Sequence, residues 1–237
     1  MSERNVAIVT GGSTGIGAEI CRRMIAQGYE TISLALRRPD WSDKRLQVVE
    51  VDLTDAKATA AVASDIASHF EVSHVVHNAG AIRPALLGDV KAEDLNALTQ
   101  LHLGAALALV QATLPGMKAK GFGRIILMSS IAANGSSGQA GYCASKAGLL
   151  GLSATLSKEY GKKGITSNVI SPGFIETEMT KELMSDRNRE FWLQHVPLGR
   201  LGELPEVSKL VVVLASPGAG YINGMELRVD GGLSWAP

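Results

Sequence analysis

The 237-residue chain is long enough for one α/β domain, or at most two, and its 46% hydrophobic content supports a full core. Its 23 Lys and Arg balance 23 Asp and Glu, so the formal net charge is zero. That balance argues against nucleic acid or an anionic membrane as the main partner and fits a protein that buries surface in an oligomer. Two cysteines, Cys21 and Cys143, make no disulfide framework. Cys143, beside Tyr142, reads as a small buried helix residue. The start Met1 to Asn5 runs straight into an apolar stretch with no signal-peptide pattern, so a reducing, cytoplasmic setting is expected.

Val6–Val9 is a short apolar run next to glycines, as expected of a buried parallel strand. A helix is predicted over Gly15–Gln27, ended by Gly28. Strands follow at Thr31–Leu36 and Leu46–Val51. An Ala-rich helix spans Asp55–Phe70, with Asp55 or Thr54 as N-cap. His74–His77 is a fourth strand, Ala92–Ala119 a long helical tract and Arg124–Met128 a fifth strand. A helix over Gln139–Tyr160, a strand at Ile165–Ile170, a helix at Pro205–Ala215 and a strand at Met225–Val229 complete the chain. This alternation predicts a Rossmann-type, doubly wound parallel sheet forming a single domain over residues 1–237. The most apolar stretch, Leu101–Leu114, contains His102 and Gln111 and reads as too short to span a bilayer.

The chemistry concentrates between Ser129 and Lys146. The strand Arg124–Met128 delivers Ser129 and Ser130, a Gly/Ser-rich loop follows, and Tyr142 opens the next helix. On that helix Tyr142 and Lys146 share a face. An ammonium beside a phenol should depress the phenol's pKa, and a tuned phenol can protonate a carbonyl or deprotonate an alcohol. A serine hydroxyl at the strand end could polarise the same oxygen. These groups supply no hydride, so a cofactor is required. Alone, Tyr-x-x-x-Lys is more often a helix-surface pair. Here Gly11, Gly15 and Gly17 sit at the first strand-to-helix turn, where a pyrophosphate can approach backbone N–H groups at a helix N-terminus.

Thr10-Gly11-Gly12-Ser13-Thr14-Gly15-Ile16-Gly17, Asn78-Ala79-Gly80, the serine pair, Tyr142-x-x-x-Lys146 and Pro172-Gly173 together resemble the short-chain dehydrogenase/reductase family. The resemblance covers Asn5 to Gly232. Ser171–Thr180 (SPGFIETEMT) resembles the branch that reduces 3-oxoacyl-carrier-protein and acetoacetyl-CoA. The resemblance implies cofactor contacts at Gly11, Ser13, Gly15, Ile16 and Gly17, at Asp52 and Leu53 beside the adenine, and at Asn78, Ala79 and Gly80 along the ribose and nicotinamide. It also implies contacts at Tyr142 and Lys146, and at Pro172, Gly173, Ile175 and Thr177. Relatives that prefer NAD place an acidic residue at the end of strand two. Here Leu36 stands there, followed by Arg37 and Arg38, two guanidiniums suited to a 2′-phosphate, so NADP(H) is expected. A shifted register would bring Asp40 to the ribose instead. No metal site is assigned.

Counting back from Tyr142 by the family's usual interval lands on Ser129. Aligning the strand makes Ser130 the match, and the strand alignment is preferred. Two positions depart from the family pattern. His77 replaces the first of two asparagines and is expected to be structural. His102 replaces an asparagine that ties down a water chain; an ordinary imidazole pKa would allow it to relay protons, and a satisfied structural histidine is the equal alternative. Residues 176–201 are polar and poorly periodic but carry Met179, Leu183, Met184, Phe191, Trp192 and Leu193. In the family this is the substrate lid, which could equally be a surface helix packing its apolar side. Lys118, Lys120, Lys162 and Lys163 could meet an acyl carrier protein or CoA phosphate, although such lysines are more often solvated. The small-residue faces of Ala105–Ala112 and Ala147–Thr155, with Tyr221–Gly232, resemble the family's tetramer contacts. The expected activity is NADPH-dependent reduction of a carbonyl, with a 3-oxoacyl thioester or another small molecule as substrate. An alcohol or sugar dehydrogenase, or a regulatory protein without turnover, remain the alternatives.

Overall fold

The computed structural model describes residues 5–178, 180 and 186–235. Short runs of β-branched and apolar residues become seven strands. These are β1 (Val6–Thr10), β2 (Glu30–Ala35), β3 (Leu46–Glu50), β4 (Val72–His77), β5 (Gly123–Met128), β6 (Ile165–Pro172) and β7 (Glu226–Val229). All pair in parallel, in the order β3-β2-β1-β4-β5-β6-β7. Residues of β1, β4, β5 and β6 are buried throughout, which is why those strands read as unbroken apolar runs. The outer strands β3 and β7 are only partly covered. The chain reverses its winding between β1 and β4, so a crevice opens beyond their carboxyl ends.

Six helices cover the sheet among the described residues: α1 (Gly15–Ala26), α2 (Ala56–His69), α3 (Ala92–Lys120), α4 (Ala140–Tyr160), α5 (Asp186–His195) and α6 (Leu204–Ala215). On one face Ile8, Val75, Ile125 and Val169 pack with Leu109, Leu114 and Met117 of α3 and Leu149 of α4. On the other, Val9, Val76, Ile126 and Ile170 pack with Ile20 and Met24 of α1 and with Val207, Val211 and Leu214 of α6. The Asp55 carboxylate caps α2, accepting from the N–H groups of Lys57 at 2.8 Å and Ala58 at 3.0 Å.

α3 corrects one expectation. Its apolar stretch belongs to a continuous 29-residue helix, long and apolar enough to cross a bilayer, so the length argument against a span fails. The helix reads as a core element because Ala105, Ala106, Leu109, Val110 and Met117 are buried within the chain. A π-turn at Gln100–Gly104 interrupts it.

At the amino ends of the strands, the Arg124 guanidinium lies 4.2 Å from the centre of the Phe122 ring and donates to the carbonyls of Gly123 and Gly164. Tyr29 packs edge-on to His74, whose Nε2–H donates to the Ala215 carbonyl. α5 gives the expected segment at 176–201 a helix, one of the two readings left open for it. Its Phe191 and Trp192 cluster with Phe174 and His195, while Met179, Leu183 and Met184 lie outside the described residues.

Candidate active site

The turn between β1 and α1 is built to admit an anion. Gly11 and Gly15 adopt positive φ, 69° and 53°. A side chain on Gly17 would collide with the Gly11 carbonyl and come within 2.6 Å of Asn78 Nδ2. Ile16 is the second residue of α1. Thr14 caps α1 with no side-chain hydrogen bond, and the first turn carries no acidic residue, so the leading N–H groups of the helix face the crevice. Thr177 lies above the loop, its side chain 3.8 Å from where a Cβ on Gly15 would stand. The loop therefore fits a dinucleotide pyrophosphate.

At the far end of the loop the Ser13 hydroxyl donates to the Arg37 carbonyl, which ties the turn to the segment after β2. Leu36 is 74% exposed. Arg38 donates to Glu50 at 3.0 Å, so its guanidinium is already held by a carboxylate at the end of β3. Arg37 and Asp40 are exposed. Asp52 accepts from the Thr54 N–H and hydroxyl, and the carbonyl of buried Leu53 accepts from Gln100 Nε2 at 3.3 Å.

The carboxyl end of β5 separates the two serines. Ser129 is buried, and its hydroxyl donates to the Lys146 carbonyl at 2.9 Å. Ser130 faces the crevice. Its Oγ accepts from the Ala132 N–H at 3.2 Å, and its hydroxyl lies close enough to the Tyr142 phenol to lower that group's pKa. Of the two serines, Ser130 is the one whose hydroxyl acts on the Tyr142 phenol.

The electrostatics differ from the expected picture. Burial raises the Tyr142 pKa, and the Ser130 hydrogen bond lowers it only in part. Lys146 does not depress it, because Lys146 is itself buried and its pKa falls from 10.5 to about 7. Its Nζ donates to the Met128 carbonyl at 2.7 Å and sits 5.7 Å from the centre of the Tyr142 ring.

Two histidines flank this centre from β4 and α3. His77 Nε2 meets the Leu101 carbonyl at 3.1 Å, so Nε2 carries the ring proton and Nδ1 accepts from the Thr10 hydroxyl at 3.0 Å. Thr10 Oγ1 in turn accepts from the N–H groups of Asn78 and Ala79, both at 2.9 Å. His77 therefore braces Asn78-Ala79-Gly80, the structural part expected of it. His102 is also buried, with Nδ1 at 2.7 Å from Ser145 Oγ and Nε2 at 3.2 Å from the Ala81 N–H. Burial, then Lys146 and His77, push its pKa down to about 2, so the ordinary imidazole pKa behind the relay expectation does not apply. Thr10, Ser145 and Gln100 escaped the sequence reading. Ser145, a small polar residue three after Tyr142, was the visible signal.

Pro172 ends β6, and Gly173 lets β6 approach Asp230. Ile175 is buried in a bridge with Gly202, and its carbonyl accepts from Thr180 Oγ1 at 2.7 Å. The structure thus gathers the glycine loop, Asn78-Ala79-Gly80, Ser130, Tyr142, Lys146 and Thr177 around one crevice.

A parallel sheet with a glycine turn at its switch point and a Ser–Tyr–Lys set at the next strand end defines a dinucleotide-dependent oxidoreductase. The family model described as "Enoyl-(Acyl carrier protein) reductase" matches residues 11–234. The 3-oxoacyl-[acyl-carrier-protein] reductase of Escherichia coli K12 is 39% identical over 98% of both chains, and that of Salmonella typhimurium 38% over 98% of both. A candidate NAD(P)-dependent gluconate 5-dehydrogenase from Beutenbergia cavernae, solved with NADP at low occupancy, superposes with a TM-score of 0.91 at 28% identity over 98% of this chain and 97% of that one. The chain belongs to the short-chain dehydrogenase/reductase family.

Proposed function

We propose that this enzyme reduces the ketone of a 3-oxoacyl thioester to the alcohol with NADPH, the acyl group being carried on an acyl carrier protein or on CoA. The observation that carries the reading is the Ser130–Tyr142 hydroxyl pair beside Lys146, reached from the same crevice as the glycine turn. The names of the full-length relatives support the thioester, and Arg37 supports the 2′-phosphate.

When bound, the nicotinamide supplies the hydride. Ser130 Oγ, fixed through its lone pair by the Ala132 N–H, keeps its own proton to donate to the ketone oxygen. Tyr142 donates the second hydrogen bond and delivers the proton as the alcohol forms. Lys146 would hold the nicotinamide ribose hydroxyls, and such added hydrogen bonds would favour its charged form beside Tyr142.

The fold acts as a single domain, and in the expected lid Arg189 pairs with Glu176 at 2.6 Å. Lys118, Lys162 and Lys163 are exposed and open to an acidic carrier, whereas Lys120 is paired with Glu71. The enzyme assembles as a homotetramer, a reading supported by exposed Leu107, Tyr221 and Met225 in the expected contact regions; its setting is the cytoplasm.

The test is NADPH and NADH oxidation with acetoacetyl-CoA, a 3-oxoacyl carrier protein, crotonyl-CoA and simple ketones. Turnover on the 3-oxo thioesters with NADPH is expected. Turnover confined to crotonyl-CoA would instead favour reduction of the carbon–carbon double bond named in the family model. Turnover confined to simple ketones would overturn the thioester. The Tyr142→Phe variant should lose about 10²–10⁴ in turnover while still binding NADPH.

A further inference from the structure

Every short-range polar neighbour of the His102 ring is accounted for, and together they leave it one protonation state. The Ala81 N–H can only donate, so Nε2 must accept and carries no proton. A neutral imidazole has one ring proton, which therefore sits on Nδ1 and donates to Ser145 Oγ at 2.7 Å. The Ser145 hydroxyl passes its own proton to the Tyr142 carbonyl at 2.9 Å. A second proton on His102 would set two donors against each other at Ala81.

We propose that His102 is a positioning residue that clamps the backbone following Asn78-Ala79-Gly80 to the catalytic helix α4 through its Nδ1–H tautomer, and that it carries no proton in the reaction. The inference rests on the reading of Tyr142 as the proton donor.

The geometry around the π-turn shows what the clamp joins. Successive residues of the turn reach three parts of the site. Gln100 holds the Leu53 carbonyl, the Leu101 carbonyl accepts from His77, and His102 links Ala81 to Ser145. The His102 ring also packs edge-on to Tyr142, with centroids 5.6 Å apart. A Cβ on Gly80 would stand 3.2 Å from both His102 Nε2 and Lys146 Nζ, so the ring walls off the side of the lysine. The titratable groups facing His102 are Lys146, His77 and Tyr142. The first two disfavour a positive charge on the ring, and none of the described groups acting on it is a carboxylate.

A relay through His102 would have to protonate Nε2 against the Ala81 N–H or flip the tautomer with loss of both hydrogen bonds. The two histidines hold opposite tautomers on the same turn, His77 protonated on Nε2 and His102 on Nδ1.

The test reads the ring nitrogens directly by ¹⁵N NMR of the full protein, with and without NADP⁺ and without substrate, so its outcome does not depend on the substrate assignment. His102 should show a protonated Nδ1 and a bare Nε2 throughout, with no titration between about pH 5 and 8. His77 provides the internal contrast, with the reverse pattern. Titration of His102 in that range, or a protonated Nε2, would overturn the proposal. Kinetics of two variants supply the second arm. His102→Gln and His102→Ala should lower the turnover plateau by about 10-fold or more while leaving both limbs of the pH profile in place, and imidazole should not restore the alanine variant. Loss of a limb, or rescue by imidazole, would identify a proton carrier and sink the clamp.

Discussion

Replacing Lys146 with methionine should make the cofactor-free protein more stable while removing its activity. Lys146 is buried against a backbone carbonyl, with no carboxylate recorded among its partners. Its pKa falls from 10.5 to about 7. The unfolded chain therefore holds a proton on Lys146 that the folded chain sheds between those two values. At about 1.4 kcal/mol per unit, this costs the fold roughly 4 kcal/mol at pH 7 relative to a pH above 10.5. Methionine removes that cost with little change in shape, but leaves the Met128 carbonyl without its donor, a loss of about 1–2 kcal/mol. The net expectation is a gain of about 2–3 kcal/mol at pH 7 that shrinks as pH rises toward 10. Urea unfolding of wild type and Lys146→Met at one protein concentration, without nucleotide, at both pH values would measure it. A variant that is less stable at pH 7, by an amount that does not change with pH, would refute the reasoning. Saturating NADPH should reverse the order, because the wild-type ammonium then gains the ribose hydroxyls.

The serines should separate cleanly. Ser130→Ala is expected to lower turnover about 10²-fold with an unchanged melting temperature, whereas Ser129→Ala should cost about 1 kcal/mol of stability by removing the buried hydroxyl's hydrogen bond to the Lys146 carbonyl, with a smaller loss of turnover. Arg37→Ala should raise the KM for NADPH about 10-fold or more and leave that for NADH unchanged, while Arg38→Ala, already committed to Glu50, should do less; steady-state kinetics with both nucleotides decide it. Asp55→Ala should cost about 1 kcal/mol, seen as a lowered melting temperature with unaltered turnover.

The sheet was legible because its central strands are buried on both faces and flanked by glycines. β1, β5 and β6 begin or end within two residues of where their apolar runs do. α5 was legible only as one of two readings. Phe191, Trp192 and Leu193 are consecutive rather than a helical turn apart, so no apolar stripe marks the helix. The glycine loop and the tyrosine could be placed from their motifs, whereas the usual interval pointed to Ser129 and only the strand alignment to Ser130. Their electrostatics could not be read, since sequence shows that Lys146 is near Tyr142 but not that the pocket strips water from its ammonium. His102 shows the same gap. Its identity suggested a titrating group, and only the Ala81 N–H on one side and Ser145 on the other reveal a fixed one.

The two ends of the sheet carry separate tasks. The nucleotide and the reacting groups gather beyond the carboxyl ends of the strands, while Tyr29, His74, Phe122 and Arg124 interlock beneath the amino ends. A thickness of sheet lies between them. Substitutions that rigidify the lower layer can therefore accumulate without touching the chemistry, and changes of substrate preference above can be tolerated while that layer holds the strands in register. For anyone evolving this scaffold, heat resistance and selectivity are adjustable in independent rounds, with α3 the element that must be left alone in both, because it runs from the core into the site.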